Sequence, residues 1–129
     1  MIVLDASAAV EWLLQTPRGW RVGQRIFAHA ESLHAPHLLD VEVAQVLRRY
    51  VAVHGISLSR AEEALQDLMD LRVRRYPHTT LLRRIWALRS NLTSYDALYI
   101  ALAEALPATL LTCDTKLSAA PGVARVEVI

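Results

Sequence analysis

Cysteine occurs once, phenylalanine once, lysine once and glycine four times in these 129 residues. The lone thiol, Cys113, excludes an internal disulfide framework and any all-cysteine zinc site. Nothing calls for an oxidising compartment, so the cytoplasm is the expected location. Four glycines supply neither a GxGxxG nor a GxxxxGK, and the usual glycine-built phosphate cradles are absent. Whatever binds must be held by side chains. No apolar run approaches the roughly 18 residues of a membrane span. The opening MIVLDASAAVEWLL lacks a basic segment and carries Asp5 and Glu11, so it reads poorly as a signal peptide. An excess of charge is missing too: 14 Lys+Arg against 13 Asp+Glu leave +1.

What is present points to a packed core. Hydrophobic residues make up 53% of the chain, too many for intrinsic disorder at so low a net charge. The length suits one domain, residues 1–129, that buries roughly two-thirds of its unfolded surface without a staple. Thirteen of the 14 basic residues are Arg, grouped at Arg18, Arg21 and Arg25, at Arg48 and Arg49, and from Arg72 to Arg84. Guanidinium forks suit phosphate, although a solvated surface explains any one cluster equally simply.

Apolar spacing divides the chain into short strands and amphipathic helices. Ile2–Leu4 is a strand ending abruptly at Asp5, and Ser7 is placed to cap a helix that stops before Pro17. A second helix is expected from Gly19 to Ala30, with Val22, Ile26 and Ala30 buried. Leu33–Ala35 reads as a strand, and 38–53 as a helix with Leu39, Val43, Val46, Leu47, Tyr50 and Val51 inward. Ser59 and Glu62 suggest a capping box for a helix that buries Ala61, Leu65, Leu68 and Met69. Leu71–Tyr76 is a strand, Thr79–Leu88 and Ser94–Leu106 are helices, and Thr109–Thr112 and Ala124–Ile129 are strands. This order implies an α/β fold: a three-layer α/β/α sandwich with a short, mostly parallel central sheet.

Open parallel sheets bind ligands at the carboxyl ends of their strands, where strand order reverses. Asp5 and Asp114 follow the first and fourth strands directly. Asp96 and Glu42 lie in the first turns of helices that begin on the same edge. Each has an ordinary explanation. Asp5 can close a turn, Asp114 can cap a helical turn, Thr93-x-x-Asp96 can cap a helix, and Glu42 can meet a helix dipole. Together they are harder to excuse, because two such charges about 4 Å apart repel by roughly 4 kcal/mol at an effective dielectric of 20. A hard divalent cation removes that cost, and Mg²⁺ and Mn²⁺ prefer carboxylate and water oxygens.

Four segments in order, MIVLDASAAVEWLL, HAPHLLDVEVAQVLRR, LTSYDALYIALAEAL and TLLTCDTKL, resemble the PIN-domain ribonucleases. More narrowly, the chain is similar to the VapC-type toxins of bacterial toxin–antitoxin pairs. The resemblance runs from Met1 to about Ala119, and T-S-Y-D-A-L-Y is its most specific piece. It implies a metal-dependent endoribonuclease whose acidic set is Asp5, Glu42, Asp96 and Asp114. Asp5 and Asp96 are expected as direct Mg²⁺ ligands, with Mn²⁺ an alternative. Glu42 and Asp114 would hold waters, complete a second metal site or orient the attacking water. Ser7 and Thr112 match small hydroxyl positions that steer the carboxylates. Asp40 points about 200° away from Glu42 on a helix and reads as a cap.

The same resemblance implies tRNA or rRNA as substrate, a small VapB-like antitoxin as partner, and a homodimer. Two other readings stay open on sequence alone. One is a receiver-like phosphoacceptor domain, against which stands the lack of paired acids after the first strand. The other is a PIN fold used only for binding, against which stands the complete acidic set.

Overall fold

A computed structural model describes residues 1–129. Its strands are β1 (Ile2–Leu4), β2 (Leu33–Pro36), β3 (Val73–Tyr76), β4 (Thr109–Thr112) and β5 (Arg125–Val128). They form one sheet in the order β3-β2-β1-β4-β5, and every pairing is parallel. The sheet is thus wholly parallel, where sequence implied mostly so. Ile2, Val3 and Leu4 have no exposed surface, and neither do Leu110 and Leu111 beside them. That is the reason the central strands are uninterrupted apolar runs: both faces are covered. Chain order runs outward from β1 to β3, then resumes at β4 on the other side of β1. The topological switch point therefore lies at the carboxyl ends of β1 and β4.

The helices are α1 (Ala6–Leu13), α2 (Pro17–Phe27), α3 (Leu38–Ala52), α4 (Leu58–Asp70), α5 (Leu82–Ala87) and α6 (Ser94–Ala105). Helix α1 packs on α2, α3 and α4, while α5 packs on α6, which lies against β1, β2 and β4. These two sets make the outer layers of an α/β/α sandwich. Gly19 permits the closest of these approaches, since a Cβ there would meet the Glu11 carbonyl of α1.

Several starts differ from the sequence expectation, each for a local reason. Asp5, not Ser7, caps α1: its backbone is extended and its side chain accepts from the Ala8 N–H. Helix α2 begins at Pro17, where the missing N–H costs nothing, and Thr16 caps it. It ends at Phe27, leaving Ala30 exposed. Helix α4 is capped by Ser57 accepting from the Arg60 N–H, so Ser59 already sits in the first turn and its capping box does not form. Leu65 and Met69 are exposed beside the buried Ala61, Ala64 and Leu68. Leu71 turns out of α4 in extended conformation, which delays β3 to Val73. The segment expected as helix 79–88 opens with a 3-10 turn, Thr79–Leu81, before α5.

Asp40 is no cap either. Its two oxygens accept from Arg75 Nε at 2.8 Å and Nη2 at 2.9 Å, tying the start of α3 to β3. Arg75 also donates to the carbonyls of Leu68 and Val73, so one guanidinium closes three elements.

Candidate active site

The end of β1 delivers Asp5 into the switch point, where it is only 5% exposed. Oδ1 accepts from Ser7 Oγ at 2.7 Å and from the Ala8 N–H at 2.9 Å. Oδ2 accepts from Thr112 Oγ1 at 2.5 Å. The two hydroxyls are in turn held by the turn after β4. Ser7 Oγ accepts from the Cys113 N–H at 2.9 Å, and Thr112 Oγ1 from the Asp114 N–H at 3.0 Å. Each hydroxyl thus spends its proton on Asp5 and a lone pair on β4 backbone. The carboxylate of one strand is fixed by the backbone of its neighbour. Oδ2 retains acceptor capacity, because a carboxylate oxygen offers two lone-pair sites.

Burial pushes the Asp5 carboxyl above its usual range despite these three donors, and the nearby Asp96 charge pushes the same way. Glu42, in the second turn of α3, is also raised, first by burial and further by Asp5 and Asp96. Asp96, in the first turn of α6, is raised by burial and then by Asp114, with Lys116 partly offsetting. The four carboxylates therefore share one electrostatic neighbourhood at one sheet edge.

The ordinary capping roles also exist, alongside that convergence. Asp5 caps α1, Asp114 caps the turn Thr115–Ala119 through the Lys116 N–H, and Thr93 accepts from the Asp96 N–H at 3.2 Å. Capping explains the local bonds. It leaves the mutual repulsion uncompensated.

No three His, Cys, Asp or Glu side chains stand close enough together to hold a metal ion among themselves. The donor chemistry nonetheless fits a hard cation, since Mg²⁺ keeps several waters and takes one or two carboxylates. Asp5, with a free lone pair on Oδ2, and Asp96, whose charge reaches it, have the donor chemistry for such a cation.

Sequence reasoning missed Tyr99. It is 2% exposed, and its phenol donates to Glu42 Oε1 at 3.0 Å. Burial and the adjoining Glu42 carboxylate raise its pKa far above the ordinary value, so the phenol stays a donor. The signal was available: Tyr99 is three residues after Asp96 and shares its helix face.

The flanking cations are sorted by what they touch. Arg25, one of the clustered arginines, is consumed by Glu31 and Glu127. Arg18 reaches the Cys113 carbonyl at 3.5 Å, next to Asp114, and Lys116 faces Asp96. His34 is a packing residue bonded to Ser32 and Tyr76, and Cys113 is buried.

A parallel α/β/α sandwich with acidic residues gathered at its switch point is the architecture of a PIN domain, and the PIN domain family profile matches residues 2–123. Mycobacterium tuberculosis ribonuclease VapC9 is 46% identical over 118 residues, covering 92% of this chain and 89% of that protein. Among solved structures, Rickettsia felis VapBC2, bound to a fragment of its promoter DNA, superposes with a TM-score of 0.71 at 16% identity. That match covers 98% of each chain. M. tuberculosis VapC20, a sarcin-ricin loop cleaving toxin, gives 0.71 at 18% identity over 95% of this chain and 97% of its own. These two structures bear on the fold alone. The chain belongs to the PIN-domain family and, within it, to the VapC ribonucleases. That membership replaces the receiver-like reading.

Proposed function

We propose that this protein is the toxin of a type II toxin–antitoxin pair, a Mg²⁺- or Mn²⁺-dependent endoribonuclease acting as one PIN-like domain of residues 1–129. The observation that carries the reading is the shared field of Asp5, Glu42 and Asp96, each raised by burial and by a neighbouring carboxylate. Such a field is costly for a fold and useful for holding a cation. Asp5 and Asp96 are the direct metal ligands. Glu42 and Asp114 hold and orient water at the mouth. Ser7 and Thr112 lock the Asp5 carboxylate and leave acceptor capacity on it for a cation. A bound divalent cation supplies charge neutralisation at phosphoryl oxygens and a lowered pKa for coordinated water.

The chain's own contribution is orientation and proton handling. Glu42, kept in place by Tyr99, is poised to accept a proton from the attacking water because its raised pKa brings it nearer neutrality. In-line attack on an RNA phosphodiester then leaves a 5′-phosphate and a 3′-hydroxyl. The recessed position of the acids favours single-stranded or loop regions, whose backbone can enter. Transfer RNA or ribosomal RNA is the substrate class, in keeping with membership of the VapC ribonucleases. A VapB-like antitoxin is the partner, in keeping with the same membership. A homodimer is the assembly, and the cytoplasm the location; no helix is long and apolar enough to cross a membrane.

The deciding experiment is cleavage of bulk RNA in Mg²⁺ or Mn²⁺ by antitoxin-free protein, with Asp5→Ala and Asp96→Ala beside it. Activity in the parent and its loss in both variants supports the reading. Equal activity in the variants, or none in the parent, marks a PIN fold used only for binding or another chemistry.

A further inference from the structure

A cleft of about 450 Å³ opens beside the acidic mouth, and it shares Ser7 and Asp114 with it. Its other polar lining is Glu11, Arg18, Arg49, Tyr50 and Thr115. The volume lies within the range of small-ligand pockets. Arg18 sits against the Cys113 carbonyl, one residue before Asp114. Arg49 and Tyr50 project from the far end of α3, although helical spacing alone placed Tyr50 in the core; it is 37% exposed. Neither Arg18 nor Arg49 enters an ion pair, whereas Arg25, Arg60, Arg75 and Arg84 all do. Glu11 accepts the Thr16 hydroxyl, which holds its charge towards the start of α2.

We propose that this cleft is a subsite for the RNA nucleotide flanking the scissile phosphate, with Arg18 and Arg49 on phosphate and Tyr50 beneath the base. The inference rests on the ribonuclease reading and adds what that reading lacks. A mouth of four carboxylates repels a polyanion, so strand positioning has to come from cations nearby that are not already neutralised. Two guanidiniums outside any ion pair line the cleft that opens on Asp114 and provide it, and their planar forks match phosphate oxygens. Tyr50, lining the same cleft, gives the base a stacking face without reading its sequence.

The test is binding rather than turnover, in an Asp96→Asn background that leaves the probe intact. The probe is a short fluorescein-labelled single-stranded RNA of mixed sequence, titrated by fluorescence anisotropy at several salt concentrations. Arg18→Ala and Arg49→Ala should each weaken binding several-fold and flatten the plot of log affinity against log salt by about 0.7 per lost contact. Arg49→Lys should keep the slope. Tyr50→Ala should weaken binding by roughly 5- to 150-fold, and Tyr50→Phe should not. Arg83→Ala, on α5 in the opposite helical layer, serves as control. If the Arg18, Arg49 and Tyr50 variants match Arg83→Ala while the parent still cuts RNA, the subsite is wrong and the ribonuclease reading stands. If the parent neither binds nor cuts RNA, both fall.

Discussion

Tyr99 of α6 donates its phenol proton to Glu42 of α3 across 3.0 Å, joining helices from opposite faces of the sheet at the acidic mouth. This bond favours the charged form of a carboxylate that burial and two neighbouring acids disfavour. Tyr99→Phe keeps the ring's packing and removes only the donor. It should lower kcat about tenfold, as loss of an orienting partner does, and cost about 1 kcal/mol of stability. A KM that rises instead, with kcat unchanged, would show that the bond serves substrate binding.

Asp5 is a buried charge retained against the interest of the fold. Asp5→Asn removes the desolvation cost and keeps a good helix cap, since Asn and Asp are equivalent there. The variant should be more stable at neutral pH in the absence of metal by about 0.5–2 kcal/mol, while losing RNA cleavage. Urea titration of both proteins in a chelator checks it. Destabilisation would mean that the Ser7 and Thr112 bonds outweigh the burial of charge.

Cation binding should show as stability. A ligand that binds only the folded state at 100 times its Kd adds about 2.7 kcal/mol. Thermal melts with and without Mn²⁺ should separate for the parent and coincide for an Asp5→Asn, Asp96→Asn double variant. Equal shifts in both would place the cation elsewhere.

Asp40 and Glu42 are two residues apart and have separate tasks. Asp40→Asn should leave cleavage unchanged, whereas Glu42→Gln should reduce it by about 100-fold or more. Arg75→Ala, which strips the clasp on Asp40, Leu68 and Val73, should destabilise by about 1–2 kcal/mol without altering cleavage chemistry. Chemical denaturation alongside the cleavage assay separates the two.

Acid sensitivity should be traceable to Glu31. Its carboxyl is held below the ordinary 4.5 by Arg25 and then by the chain's amino terminus. A depressed carboxylate contributes stability above the unfolded value and loses it as pH falls through the folded one. The parent should therefore exceed Glu31→Gln in stability at neutral pH, and the gap should close as pH falls below 4.5. A gap independent of pH would assign the difference to packing.

Much of this was legible in the residues. Strand runs such as Ile2–Leu4 and Thr109–Thr112 are recognisable because continuous apolar stretches closed by a polar residue suit a sheet covered on both faces. Asp5, Glu42, Asp96 and Asp114 could be nominated because a parallel sheet directs strand ends and helix starts to one edge. Helix starts were harder. Ser57 and Ser59 are equal candidates by type, and only backbone conformation chose between them. Tyr50 was misplaced because helical periodicity says which residues share a face, not which face finds a neighbour.

The sequence by itself determined the α/β class, carried the family resemblance in its four motifs and nominated the acids, since these depend on local order and residue chemistry. Tertiary structure decided which hydroxyls hold Asp5, that Tyr99 restrains Glu42, that Asp40 belongs to Arg75, and which arginines remain unpaired beside the mouth. Those pairings join residues as far apart as Asp5 and Thr112, separated by 107 positions. Their contacts depend on how the strands are ordered across the sheet, which no local pattern encodes.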